Sequence, residues 1–354
     1  MYTKINSLPK KKILFVSPGS RSEATPFISD IKKINIFNCD AIYTKPNLND
    51  YYSNKQSIFL RILSKLRIPY DKYKINLRLL NKINENKYDF VFIIKGNLIK
   101  PTTLKKIKKI SKKTKIISWN SDDMMQSHNS SYYYLLSVKY YDLIVTTKSP
   151  NTLPNELQKY GAKKILLQDN SYIETIHRPL IKKITKPKKL PILFVGFAEK
   201  DRFRSMNFLA KNGIKVDIYG SGWEKSFYKL NAHHNLNINT RNLVGDEYSE
   251  AISNAYISLC FLRKINRDVQ TARSVEIPAC SGLMLAERTD EHIKMFEEDK
   301  EAVYFSSDNE LLEKINYLIN NEHVRDKIAK NGYRKCMKSK MSYIDRLNVI
   351  LENC

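Results

Sequence analysis

The stretch Asn266–Leu285 reads NRDVQTARSVEIPACSGLML and concentrates charge ahead of an apolar run: Asp268, then Glu276 eight positions on, with Arg273 between them. An ionised carboxylate can accept from two vicinal hydroxyls at once, as on a ribose ring, and a guanidinium offers a planar fork to phosphate oxygens. The pattern predicts a helix over about 271–280, which sets Arg273 and Glu276 one turn apart, able to face one crevice. Alone, that spacing more often marks an ordinary i, i+3 surface pair. Lys264 and Arg267 are further cationic candidates beside Asp268, each reading first as a solvated loop charge.

Other candidates follow apolar runs. Gly196 ends Ile192–Val195 and opens a turn carrying Arg202 and Arg204 before a helical pattern. Glycine permits close backbone approach, and a helix N-terminus adds amide donors and a dipole that favours anions. YGSGW sets Gly220 and Gly222 in a tight turn after a strand; Trp223 could stack on a ligand or simply pack, and packing is the commoner fate. In SWNSDD, Asp122 and Asp123 follow a strand, and one of them could orient or deprotonate an acceptor hydroxyl, or merely cap a turn. Ser17, Pro18 and Gly19 follow the first strand. His177, in HRP, reads as a turn residue, and His233 and His234 lack partners at zinc-ligand spacing.

These residues need elements that hold them at one edge. Short β-branched runs at 13–17, 90–95, 115–119, 143–147 and 165–168 alternate with amphipathic stretches, and after the Lys/Pro-rich KKITKPKKLP the rhythm restarts at 192–195, 216–219, 256–261, 283–286 and 302–305. Such alternation predicts parallel strands covered by helices, in an α/β fold of two Rossmann-like doubly wound domains whose strand ends meet across a cleft. The expected limits are an N-terminal domain over 1–183, a linker at 184–190, a C-terminal domain over 191–340, and a C-terminal helix, 341–354, that could pack back on the first domain. No GxGxxG is present, so a dinucleotide cofactor is not indicated.

Charge is uneven. Residues 1–190 hold 37 Lys and Arg against 13 Asp and Glu, whereas 191–354 hold 24 against 23, within a net charge of +25. Lysine-rich composition accounts for part of this; the sharper reading is an anionic partner such as phospholipid, acidic glycan or nucleic acid. The basic amphipathic stretch 57–67, SIFLRILSKLR, suits an anionic lipid surface or an acidic glycan. No nucleic-acid-binding module is recognisable, so nucleic acid is not the expected partner. Met1–Leu8 lacks a signal-peptide core, the five cysteines are scattered, and no run approaches membrane-spanning length, which together suggest a cytoplasmic protein, with peripheral attachment to the inner face of the membrane open.

The wording of several motifs resembles the spore-maturation CgeB-like family of GT-B glycosyltransferases: FVG with Arg202 six residues on, YGSGW, VGDEY, NRD with ARSVEIPAC, and the closing GYRK and DR, covering about 190–350. YDFVFIIKG, SWNSDD, YGAKKILLQDN and HRP extend it more loosely; Val275 and Ser281 stand where Phe and Gly are commoner. The resemblance implies a nucleotide-sugar donor, UDP- or GDP-linked, and a glycan or surface-polymer acceptor. Asp268 and Glu276 then match the acid-x7-Glu pattern of retaining enzymes. It sets Glu276 on the ribose, Gly196, Arg202, Arg273 and Lys264 near the diphosphate, and Gly220, Gly222 and Trp223 near the base. Asp122, Asp123, Arg202 and Asp268 form the catalytic candidates. No metal and no bound cofactor are expected, because fixed cations would neutralise the leaving diphosphate. A sugar-nucleotide 2-epimerase on the same fold and a basic surface-binding protein are the competing readings.

Overall fold

The structure, a computed structural model, describes residues 10–19, 24–35, 37–45, 58–180 and 192–354. The expected linker at 184–190 lies outside the described residues. The chain divides into two compact units. The first takes the described residues up to Asp169 with Ile265–Arg267 and Ile344–Cys354; the second takes Asn170–Lys264 and Asp268–Tyr343. Residues 170–180, expected with the first domain, group with the second because their backbone is pinned there: Ser249 Oγ donates to Ile176 O (2.5 Å), and Leu180 N donates to Ser253 Oγ (3.0 Å).

In the first unit six strands, β1 (Lys12–Gly19), β2 (Asn38–Lys45), β3 (Phe90–Ile94), β4 (Lys115–Asn120), β5 (Leu143–Thr146) and β6 (Ile165–Leu167), form one parallel sheet in the order β2-β1-β3-β4-β5-β6. Helices α1 (Ala24–Ile34), α2 (Ile58–Lys65), α3 (Ile75–Glu85), α4 (Pro101–Ile110) and α5 (Tyr132–Ser137) connect or cover it. Local chemistry sets their starts. Asp71 accepts from the amides of Ile75 (2.7 Å) and Asn76 (3.1 Å), capping α3. Pro101 opens α4 where no amide is needed.

The second unit repeats the plan. Strands β7 (Ile192–Val195), β8 (Val216–Tyr219), β9 (Leu236–Asn239), β10 (Ile257–Cys260), β11 (Met284–Glu287) and β12 (Val303–Phe305) run parallel in the order β12-β11-β10-β7-β8-β9. Its helices are α6 (Lys200–Lys211), α7 (Ser226–Asn231), α8 (Asp246–Asn254), α9 (Arg273–Ala279), α10 (Asp290–Met295), α11 (Asp308–Asn320) and α12 (Glu322–Lys338); α13 (Tyr343–Glu352) ends the chain. Two parallel sheets with flanking helices make the two-domain doubly wound α/β fold that the rhythm predicts. The edge strands β2 and β9, reading NCDAIYTK and LNIN, were not predicted, because polar residues interrupt their apolar ones, unlike the edge strands β6 and β12.

Alternation puts every central strand into two cores. Ile192, Phe194, Leu259, Leu285, Val303 and Phe305 pack on one side with Met206, Leu209 and Leu311, while Leu193, Val195, Cys260, Met284, Ala286 and Tyr304 pack on the other with Val275 and Ile277. In the first unit Phe15, Phe92, Trp119 and Phe27 of α1 form a chain of ring contacts 5.4–6.0 Å between centroids. Phe92 is fully buried at its centre. Phe92→Ala is expected to remove ~3–5 kcal/mol from the unfolding free energy of that unit, read as a lower urea midpoint.

Candidate functional site

Strand order reverses between β7 and β10 in the second sheet, and between β1 and β3 in the first. Crevices at the carboxyl ends of such sheets, at the reversal, are where doubly wound folds take ligands. In the second unit the two loops that flank the reversal are tied by one side chain. Arg202, on α6 and 2% exposed, donates from Nη1 to Phe197 O (3.1 Å) and from Nη2 to Phe261 O (3.1 Å). Burial, with Arg273 close by, brings its guanidinium down to about 10, so it stays charged at neutral pH. Arg202 was expected to reach phosphate and catalyse; its fork is instead spent on backbone carbonyls, and it positions the loops that would meet the ligand.

The loops after β7 and β8 are zipped together. Gly196 N donates to Tyr219 O (2.8 Å), Ala198 N to Ser221 O (3.1 Å), and the Trp223 indole to Gly196 O (2.9 Å). Trp223, a candidate near the base for which packing was the commoner reading, is wholly buried against Phe194 and Tyr228, so it packs. Gly220 sits at φ +147°, and a Cβ there would stand 2.1 Å from Gly196 O. No other residue type allows that approach. Gly222 (φ +89°) lies against the Phe197 ring, and its amide donates to Glu224 (2.8 Å).

Arg273 and Glu276 sit on α9, as the spacing predicts. Arg273 Nε donates to Val195 O at the end of β7, and its Nη2 comes within 3.2 Å of where a Gly196 Cβ would stand. Its charge therefore lies over the glycine turn. Lys264, exposed, pairs with Asp201 at 3.5 Å, and Arg263 with Glu199 at 2.6 Å. Asp268 Oδ2 accepts from Arg263 N (3.2 Å) and so closes the loop after β10. A cavity of about 320 Å³ opens beside these groups, lined by Arg202, Arg204, Lys264, Glu287 and Arg288 among others.

Glu276 is buried. Its Oε2 accepts from the Tyr248 hydroxyl (3.0 Å), and Oε1 faces His177 Nε2 at 3.7 Å. Ile173 N donates to His177 Nδ1 (3.0 Å), so a neutral ring carries its proton on Nε2, toward the carboxylate. Burial lifts the Glu276 carboxyl above its ordinary value, opposed by Arg273 and Tyr248. Sequence reading missed Tyr248 and His177 as site residues, although VGDEY and HRP, the motifs that carry them, stood out.

In the first unit, a cavity of about 410 Å³ lies at the reversal, lined by Val16, Pro18, Lys45, Ile93, Lys95 and Leu98 among others. Asp122, partly exposed, pairs with Lys95 at 2.5 Å. Asp123 is fully buried: Arg267 holds its Oδ2 at 2.5 Å and Oδ1 at 3.1 Å, and Asn151 and the Met125 amide donate to Oδ1 at 2.6 and 3.0 Å. Burial would raise this carboxyl, but Arg267, Asn151 and Met125 together outweigh it and hold it below the ordinary range. Asp123, expected as a catalytic candidate, is thus a fully engaged structural anion and no base. Arg267 also grips Glu156 at 2.9 Å through both terminal nitrogens.

Residues 202–352 match the family model described as glycosyl transferase-like. That match spans less than half of the chain, and the solved structures that the chain resembles show a shared GT-B fold. HepE of Anabaena, crystallised with UDP and glucose, is similar over 97% of this chain and 99% of that one, with TM-score 0.64 and 11% identity. An alpha-glucosyltransferase crystallised with UDP-glucose and DNA containing an abasic site matches over 97% and 100%, with TM-score 0.65 and 13% identity. A Rickettsia africae glycosyltransferase matches over 98% of both chains, with TM-score 0.62 and 14% identity. At these identities the likeness is one of fold. No curated protein matches the sequence. Arg202, Tyr248, Arg273 and Glu276, the candidate site residues of the second unit, lie within the matched residues.

Two outcomes test the electrostatics. Arg267→Ala should cost about 2–4 kcal/mol at neutral pH, below a fully buried pair because Arg267 is a third exposed. The loss should shrink as pH falls below 3.8, since a depressed carboxyl contributes stability above its ordinary pKa that disappears as it protonates. Glu276→Gln should behave oppositely. The folded state holds the Glu276 proton more tightly than the unfolded one, so the wild type should lose stability relative to the variant as pH rises from 4.5 through the raised value. Urea titrations across pH 3–8 read both.

Proposed function

We propose that this protein is a glycosyltransferase that moves a sugar from a nucleotide donor, UDP-linked, to a glycan or surface-polymer acceptor, with retention at the anomeric carbon and without a metal. The observation that carries it is Glu276, a buried carboxylate on α9, joined through Arg273 to the glycine turn at Gly196. A ribose needs a paired acceptor and a diphosphate needs fixed cations, and one helix supplies both. In this reading Glu276 takes the ribose hydroxyls, while Tyr248 and His177 fix its orientation. Arg273, Lys264 and the amides at the start of α6 neutralise the departing diphosphate, where preorganised charge lowers the barrier most. Gly220 and Gly222 border the base.

UDP is favoured because HepE and the alpha-glucosyltransferase were crystallised with UDP or UDP-glucose. Asp122, partly exposed and paired with Lys95, which lines the cavity of the first unit, suits an acceptor hydroxyl better than the engaged Asp123. The acid-x7-Glu wording of Asp268 and Glu276 supports retention, and the ordered motifs support placement in the CgeB-like branch.

Thermal shift with UDP-, GDP-, dTDP- and CMP-sugars in chelator tests the donor site. At a concentration about 100 times Kd, the bound nucleotide should add ~2.7 kcal/mol, visible as a rise of several degrees for the UDP series, and Glu276→Gln should lose most of it. A folded protein that answers to no nucleotide, or a variant that answers like the wild type, overturns the assignment. Donor turnover without any acceptor would instead favour the epimerase.

A further inference from the structure

We propose that the face of the first unit built by α2 and α5 docks on the surface of an anionic lipid bilayer. Along α2 and the turn that ends it, Ile58, Ile62 and Leu66 stand four residues apart and are 77%, 51% and 53% exposed. Residues at that spacing share one helix face, and Leu66 N still bonds to Ile62 O at 3.0 Å, so the stripe is continuous. On α5, Tyr132 and Leu136 repeat the spacing at 50% and 57% exposure.

The two stripes adjoin. Tyr132 N donates to Arg67 O (3.1 Å), Arg67 donates to Ser130 O (3.2 Å) and Ser130 Oγ (2.6 Å), and the Arg67 guanidinium lies 5.3 Å from the Tyr132 ring centre. Cations rim the patch. Arg61 and Lys65 are exposed on α2, Lys139 is exposed one turn beyond Leu136, and Lys100 lies 6.0 Å from the Tyr133 ring. Asp71, the acid nearest α2 in sequence, is already spoken for by the amides of Ile75 and Asn76.

Exposed apolar stripes with an aromatic ring and a basic rim match both layers of a bilayer surface: hydrocarbon takes the Ile, Leu and Tyr side chains, and anionic headgroups take the cations. A soluble polyanion would engage the cations and leave five exposed apolar side chains unexplained. The excess of 37 basic over 13 acidic residues across 1–190 works in the same direction at longer range.

Cosedimentation of the full chain with vesicles of phosphatidylcholine alone, and of phosphatidylcholine mixed with phosphatidylglycerol, tests this. The mixed vesicles should bind the wild type at least tenfold more tightly, and salt should weaken the binding. Ile62→Ser with Leu66→Ser, and separately Arg61→Glu with Lys65→Glu, should each weaken it by about tenfold or more. All four side chains are on the surface, so both variants should keep the wild-type melting curve and the same response to nucleotide. Equal pelleting with both vesicle types overturns the proposal. Binding weakened by the charge reversals alone, with the serine variant unaffected, also overturns it, in favour of a soluble polyanion. The readout is membrane binding, so it stands or falls apart from the donor assignment.

Discussion

The second unit depends on one buried guanidinium. Arg202 stands where strand order reverses, and its two hydrogen bonds join the loop after β7 to the loop after β10. Parallel strands bring loops to this edge but cannot set the distance between them. A charged planar fork, held from α6 with its two terminal nitrogens each on a carbonyl, does so at the cost of desolvating a cation. Arg273 repeats the device from α9 by bonding to the last carbonyl of β7. The glycine turn, the start of α6 and the start of α9 are thereby registered to one another.

Two buried carboxylates show how surroundings decide what an acid can do. Asp123 and Glu276 both leave water, yet their titration moves in opposite directions. Asp123 is met by a guanidinium, an amide side chain and a backbone amide, which favour its anion more than burial penalises it. Glu276 has a tyrosine hydroxyl, a histidine edge and a more distant arginine, and burial wins. The first carboxylate has spent its acceptor capacity on structure. The second has fewer donors around it and keeps acceptor capacity.

Much of this was legible in order. The βα rhythm revealed ten of the twelve described strands, and the missing two, β2 and β9, are edge strands with mixed polar sequence. Arg273 and Glu276 were readable as a pair because they share a helix and their relation is local. Asp122 and Asp123 were not separable, since the difference between them is made by Arg267, 144 positions along the chain. His177 read as a turn residue because Glu276, the group it faces, lies on a helix distant in sequence.

By itself, then, the sequence determined the class of fold, the doubling of the domain, the glycine turns and the concentration of positive charge in the first half. All of these are properties of neighbours along the chain, where periodicity and backbone freedom act. Only the tertiary structure decided which polar groups remain available. It buried Trp223 and Arg202, consumed Asp123, and set Tyr248 and His177 around Glu276. Desolvation and pairing depend on what lies within a few ångströms, and that neighbourhood exists only once distant segments have packed.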